Sequence, residues 1–192
     1  GRNEAADTLA VEALTLPVPA DRRRAREEIG LLSIRAQAAL AGGDAEQTVK
    51  LTRDLRERAL ALHGGDAGHA AVLDIRMIYG RALLAAERND EAAAELGDLL
   101  ARAQRALGQD AVLPGFVAIN LARAELGQGD AAASLRDAEL GRRIMSRHSE
   151  PDSFNAAVAT AHMGVAELAL AHADAAERSF AQAIPILVKR RG

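Results

Sequence analysis

The sequence has 192 residues, of which 49% are hydrophobic and only 2% are aromatic. A formal net charge of −3 is too small to indicate nucleic-acid binding or attraction to an acidic membrane surface. Because the sequence contains no cysteine, a disulfide framework and a thiolate metal site are both excluded. The longest uncharged run, 153–166, has 14 residues and is too short to span a membrane.

The N-terminal part of the chain predicts three helices. Apolar residues spaced three and four apart indicate a helix over 3–16, which ends at the prolines that follow. A second helix, with Asp21 as its candidate N-cap, is expected over about 24–41. After a glycine turn, Asp44 is positioned to cap a third helix, with Gln47 three residues later as in a capping box.

The central part predicts a further helix pair and the start of another. Asp66 is the expected N-cap of the fourth helix, and the fifth follows Asn89 and ends at Gly108. Asp110 is then the expected N-cap of a sixth helix, whose first turn tolerates Pro114 because that position needs no hydrogen-bonded N–H.

The C-terminal part predicts the last three helices. One follows a turn at 127–130 and ends near His148, and residues 149–152 then carry helix-start signals. The last helix contains Pro185, where we expect a kink or an early end because an interior proline removes a hydrogen bond. No strand pattern is present anywhere in the sequence.

A fixed step relates these helices to one another. The small residue Gly80 recurs 42 residues later as Ala122 and again as Gly164. A second set of small residues keeps the same step: Ala92, Ser134 and Ala176. Going backwards the step is 44 residues, which leads from Gly80 to Ala36. Self-similarity at this period is typical of a repeat array. The array is predicted to be one domain over 1–192, with a half repeat followed by four whole ones: 1–20, 21–65, 66–109, 110–150 and 151–192.

The pattern resembles the tetratricopeptide repeat (TPR), which pairs a small residue in one helix with an alanine early in the next. The last unit matches best, through Gly164, Ala176, Phe180 and Ala183. The step of 42 rather than about 34 residues is similar to the variant found in kinesin light chains and bacterial signalling proteins. The resemblance implies an all-α solenoid of antiparallel helix pairs, a right-handed superhelix with about nine helices.

The resemblance also implies that the first helix of each pair lines a concave groove. Spacings of three and four place Asp74, Ile78, Arg81 and Ala85 on one exposed stripe. The equivalent stripes supply the residues predicted to bind a peptide or protein segment: Gln37, Arg81, Phe116, Asn120, Arg123 and His162. The alternatives are that these side chains are only solvated, or that the arginines pair with Asp74 or Glu125.

The sequence gives no sign of an enzyme. It contains no nucleophile motif, metal-binding helix motif or phosphate-binding loop, so no catalytic residue, metal or cofactor is expected. Among the five histidines only His162 lies on the predicted groove. We expect it to contact a partner or to form a hydrogen bond. Glu125 and Glu167 recur at the same step, and we expect arginines of neighbouring helices to bond them.

These observations favour a protein–protein interaction module that binds a protein or peptide, with no nucleic-acid or membrane partner. Because the sequence starts within a unit and lacks an initiator Met, we expect it to be a fragment of a larger, cytoplasmic bacterial signalling or regulatory protein. One alternative is a homo-oligomeric scaffold that associates through apolar residues near its two ends. These are Leu9, Val11 and Leu14 at one end, and Ile184, Ile186 and Leu187 at the other. A further alternative is a ligand-sensing domain attached to an effector.

Overall fold

A computed structural model describes the backbone of residues 2–15, 22–148 and 153–189, and the side chains of 5–12, 25–148 and 153–189. Over this part of the chain there are nine α-helices and no strand, which confirms the all-α prediction. The helices are α1 (Arg2–Thr15), α2 (Arg22–Ala41), α3 (Ala45–Leu62), α4 (Ala70–Ala85), α5 (Asn89–Leu107), α6 (Val112–Gly127), α7 (Ala131–His148), α8 (Phe154–Ala169) and α9 (Ala173–Lys189). The predicted roles of the prolines at 17 and 19, of the cap at 21 and of 149–152 lie outside the described residues.

The chain divides into two compact units, Gly1–Arg88 and Asn89–Gly192, so the boundary falls in the turn between α4 and α5. In the first unit each helix packs against the next, and α2 also contacts α4. In the second unit α5 to α9 likewise pack in chain order, and α6 also contacts α8. Each unit therefore places the first helices of two successive predicted repeats side by side.

Each unit has its own apolar core, formed where one helix pair meets the next. In the first unit the core cluster consists of Ile29, Leu55, Ala59, Val72 and Ile75. In the second unit it consists of Ile119, Ile144, Met145, Ala156 and Ala159. Leucine, isoleucine and alanine fill these cores, as expected for a chain that is half hydrophobic and nearly free of aromatic residues.

The recurring small residues lie inside the helix contacts, as their spacing predicts. The four at mid-helix are buried: Ala36, Gly80, Ala122 and Gly164. The four early in the following helices are buried as well: Thr48, Ala92, Ser134 and Ala176. At Gly164 a Cβ atom would lie 2.8 Å from the Phe180 ring, so α8 and α9 approach each other too closely for a side chain there.

The turns after the first helices share one backbone conformation. Gly43, Glu87, Gly129 and Ala171 have φ of 88°, 58°, 86° and 61°, in the left-handed region. In each turn the next residue donates its N–H to the carbonyl oxygen five residues earlier, as Asp130 does to Glu125 at 2.9 Å. This hydrogen bond belongs to the Schellman motif, which satisfies a carbonyl group at the helix end. The four turns keep the predicted steps of 44, 42 and 42 residues.

Helix starts agree with the sequence only in part. The Asp44 side chain accepts a hydrogen bond from the Gln47 N–H at 3.0 Å, which confirms the predicted cap of α3. The prediction for α4 is wrong: His69 is its cap and accepts from the Ala71 N–H at 3.2 Å, while Asp66 accepts from Gly68. His69 is the cap because α4 begins at Ala70, and Asp66 is therefore too far upstream to reach the first free amides of this helix.

Two expectations in the second unit are also wrong. Asp110 does not cap α6, because the N-cap residue is Ala111, which offers no side-chain hydrogen bond. The Asp110 carboxylate instead forms an ion pair with Arg147. The early end expected at Pro185 is wrong, because α9 continues to Lys189. The other expectation at this proline, a kink, stays a prediction. The Pro114 prediction is confirmed, since that residue lies in the first turn of α6.

Candidate partner-binding surface

The six residues predicted to bind a partner all lie on first helices. Gln37 is on α2 and Arg81 on α4, in the first unit. In the second unit, α6 supplies three of them and α8 supplies one: Phe116, Asn120, Arg123 and His162. Because α2 contacts α4 and α6 contacts α8, each unit presents its own share of these residues on two adjacent helices.

In the first unit the polar residues of this surface are exposed. Gln37 and Arg81 form no hydrogen bond or ion pair with any other described residue. Asp74, the suggested partner of Arg81, is exposed too and does not pair with it. Neighbouring protein atoms still keep part of the water away from its carboxyl group, and this desolvation raises its pKa. Ile78, which was predicted to lie on the same exposed stripe as Arg81, is only 6% exposed and packs inward. Its place on the predicted exposed stripe is therefore wrong.

In the second unit α6 supplies an apolar residue, an amide and a cation. Phe116 is half-buried against the core cluster of this unit. The Asn120 side chain donates from Nδ2 to the Phe116 carbonyl oxygen at 2.8 Å, which holds the amide in place and leaves its oxygen as the acceptor for a partner. Arg123 is exposed and, among the described residues, has neither an ion pair nor a hydrogen bond.

His162 on α8 lies close enough to Arg123 on α6 for their charges to interact. Burial lowers the pKa of His162, and the positive charge of Arg123 lowers it further. The imidazole is therefore neutral at physiological pH, where it offers one donor and one acceptor. Val165, 40% exposed, follows one turn later on the same face and adds an apolar contact.

The second unit therefore presents one uncompensated cation beside a neutral imidazole, an oriented amide and two apolar side chains. An arginine offers five donors in a planar fork, which matches a carboxylate or a pair of backbone carbonyls. The amide and the imidazole can bond an extended backbone. This arrangement suits binding of a peptide, and it contains no nucleophile with an adjacent base.

The recurring glutamates do not bond to arginines, so that prediction is wrong. Glu167 accepts a hydrogen bond from the Ser179 hydroxyl at 2.7 Å. Glu125 faces the carboxyl group of Asp137 on α7, and its own Oε2 is buried without a hydrogen-bond partner. Burial, followed by the nearby charge of Asp137, raises the pKa of Glu125 to about 8.

The two glutamate contacts are equivalent under the repeat step, since Asp137 and Ser179 are also 42 residues apart. The sequence therefore contained a signal for both partners, in the polar residue that recurs 42 residues apart in α7 and α9. The expectation of arginine partners failed because the residues opposite the two glutamates are a carboxyl group and a hydroxyl group.

Other features of the described residues bear on the class of site. No group of three or more histidine, aspartate or glutamate side chains within 5–12, 25–148 and 153–189 is arranged to hold a metal ion. Within the same ranges, no helix is both long enough and apolar enough to cross a lipid bilayer.

Comparison with known proteins shows the fold. No protein-family model matches the sequence, and neither does any curated protein. A kinesin-light-chain-type protein of Podosopora anserina with nearly identical TPR-like repeats superimposes with a TM-score of 0.69 at 18% identity, over 98% of this chain and 86% of that one. BtubC (BKLC) from P. vanneervenii superimposes with a TM-score of 0.80 at 17% identity, over 100% of this chain and 76% of that one. These similarities confirm the TPR-like repeat fold.

Proposed function

We propose that this TPR-like chain is a protein-interaction module that binds an acidic peptide or protein segment on the exposed faces of its first helices. TPR-like repeats are generally protein-interaction scaffolds. One observation carries the proposal: Arg81 and Arg123 are 42 residues apart, both exposed, and neither has a partner among the described residues. A cation kept without a counter-ion at the same place in two repeats is available to an anionic ligand.

The mechanism is non-covalent and uses groups that are already positioned. In the second unit, the Arg123 guanidinium would bind a partner carboxylate while the Asn120 oxygen and His162 bond its backbone. Phe116 and Val165 would supply apolar contact. Because helices fix the backbone of all of these groups, no loop has to be ordered on binding, which favours affinity.

The wider role that we propose is regulatory and not catalytic. TPR-like folds are typically non-catalytic scaffolds, and the chain lacks a sequence motif for an enzyme. Only two of its 24 basic residues are lysine, a bias that accords with a GC-rich bacterial origin. We propose that the chain acts in a cytoplasmic bacterial signalling or regulatory protein.

The experiment starts from a peptide library displayed on phage and selected on the whole chain. We expect the recovered peptides to be enriched in aspartate and glutamate. Substituting Arg81→Glu or Arg123→Glu should raise the dissociation constant of such peptides about tenfold, since a charge-assisted hydrogen bond is replaced by repulsion. Isothermal titration calorimetry on the synthetic peptides measures this change.

Matched controls separate a specific contact from a change in net charge. Arg53 on α3 and Arg143 on α7 are exposed arginines on second helices of the two units. Arg53→Glu and Arg143→Glu change the net charge by the same amount, so each should leave the dissociation constant within about twofold. Equal losses from all four variants, or none, would contradict the proposed surface.

A second candidate function, self-association, is favoured by two residues of α9. Ile184 and Val188 are 52% and 63% exposed, one helical turn apart. The equivalent positions 42 residues earlier, on α7, are the polar residues Arg142 and Ser146. Large apolar side chains where the preceding repeat has polar ones indicate a surface that another chain can cover. We propose a second copy as that chain.

A further inference from the structure

A cleft of about 450 Å³ lies between α7 and α9 in the second unit, with α8 as its floor. One wall consists of Arg142 and Ser146, and the other of Gln182 and Ile186. The floor consists of Ala156, Ala157 and Thr160. The volume is within the range of small-molecule sites, which is about 300–1,000 Å³.

The polar groups of this cleft are open to a ligand. Arg142, Ser146 and Gln182 form no hydrogen bond or ion pair with other described residues. On the floor, the Thr160 hydroxyl donates to the Ala156 carbonyl oxygen at 2.9 Å, so only its acceptor capacity remains. Among the described residues that line the cleft, one is a cation and none is an acid. Glu139, one turn before Arg142 on α7, is not among the lining residues and does not neutralise it.

The dimensions of the cleft limit what it can hold. Each wall spans one helical turn, a rise of about 6 Å. That length accommodates a single short chain and is too small for an extended peptide of several residues. The alanines of the floor and Ile186 on the wall form an apolar lining beside the polar groups.

We propose that this cleft binds a small aliphatic carboxylic acid. Its carboxylate would accept from the Arg142 fork, the Ser146 hydroxyl and the Gln182 amide, while its aliphatic chain packs on Ala156, Ala157 and Ile186. Thr160 and His162 project from opposite faces of α8, because two positions along a helix are about 200° apart. The acid site is therefore separate from the partner-binding surface and does not depend on it.

Hexanoate is a suitable probe, and NMR of the ¹⁵N-labelled whole chain reports its binding. We expect saturable shifts of the Ser146, Thr160 and Gln182 amide signals. Hexanamide has nearly the same shape without the charge, so it should bind about tenfold more weakly or not at all. Arg142→Gln should weaken hexanoate binding by about the same factor.

Arg143→Gln is the matched control, because it removes a charge from the neighbouring exposed position of α7 that does not line the cleft. Its hexanoate affinity should stay within about twofold of the unmodified chain. The proposal is overturned if hexanoate causes no saturable shifts at these three residues. It is equally overturned if both arginine variants weaken binding alike, since the acid would then respond only to net charge.

Discussion

At the scale of single residues, the partner of Glu125 decides its protonation. The glutamate is half-buried on α6 and faces Asp137, another carboxyl group, and the positive charge of Arg136 lowers its pKa by less than burial and Asp137 raise it. Two adjacent carboxyl groups cannot both ionise cheaply in a poorly solvated site, so Glu125 stays protonated and donates a hydrogen bond to the Asp137 carboxylate. The equivalent Glu167 meets a hydroxyl, Ser179, and stays in contact with it by an ordinary hydrogen bond.

This pair predicts a pH dependence of stability. The folded-state pKa of Glu125, about 8, lies above its ordinary value of 4.5, so the folded chain binds this proton more tightly than the unfolded chain. Glu125 therefore makes its full contribution to the free energy of unfolding below about pH 4.5, and this contribution is lost as the pH rises towards 8. Glu125→Gln should remove this loss. At pH 8 the variant should be more stable than the unmodified chain by about 1 kcal/mol, a magnitude reduced by solvent screening.

Urea denaturation followed by circular dichroism between pH 5 and 8 measures this difference. Comparing variant with unmodified chain cancels the titrating groups that do not interact with Glu125. Glu139→Gln serves as the control because Glu139 is exposed on α7, and its stability profile should run parallel to that of the unmodified chain. A parallel profile for Glu125→Gln would show that Glu125 is ionised in the folded chain.

At the scale of elements, the turns after the first helices determine how each helix pair closes. All four place one residue in the left-handed region, yet only two of those residues are glycine. A Cβ atom is strained at positive φ by about 1–2 kcal/mol, whereas glycine is not. The turn geometry is thus imposed by the packing of the pair, even where Glu87 or Ala171 must accept the strain.

The strain gives a paired prediction at equivalent positions of two turns. Ala171→Gly should raise the free energy of unfolding by about 0.5–1 kcal/mol, because relief of strain exceeds the added freedom of the unfolded chain. Gly129→Ala should lower it by a similar amount, since φ at Gly129 is 86° and the surrounding space is open. Thermal and urea unfolding of the two variants test this. A destabilising Ala171→Gly would mean that the turn does not hold the left-handed conformation in solution.

At the scale of the whole molecule, the repeat determines which surfaces are covered by the next helix pair. Ile144 and Met145 on α7 are fully buried, and the step of 42 residues relates them to Ile186 and Leu187 on α9, which are only half-buried. Leu187, together with the exposed Ile184 and Val188, gives α9 an apolar surface that no described helix covers. Surfaces of this kind favour association.

Self-association therefore has a direct test. We expect light scattering to show a mass that rises with concentration, and Ile184→Asp or Val188→Asp to return it to that of a monomer. Val112→Asp, which alters an exposed apolar residue at the start of α6, should not change the concentration dependence. A monomer at every concentration would exclude the second copy as the chain that covers α9.

The helices, their order and the repeat step followed from the sequence alone, because apolar spacing, glycine turns and recurring small residues are local properties that one chain displays. The residues on the first helices could be placed on a face for the same reason, and Ile78 was misassigned because spacing does not show how far a neighbouring helix reaches. Tertiary structure alone decided which side chains meet across helices. The Glu125–Asp137 pair and the cleft beside Arg142 depend on distances between separate helices, and such distances are set by packing and not by the order of residues.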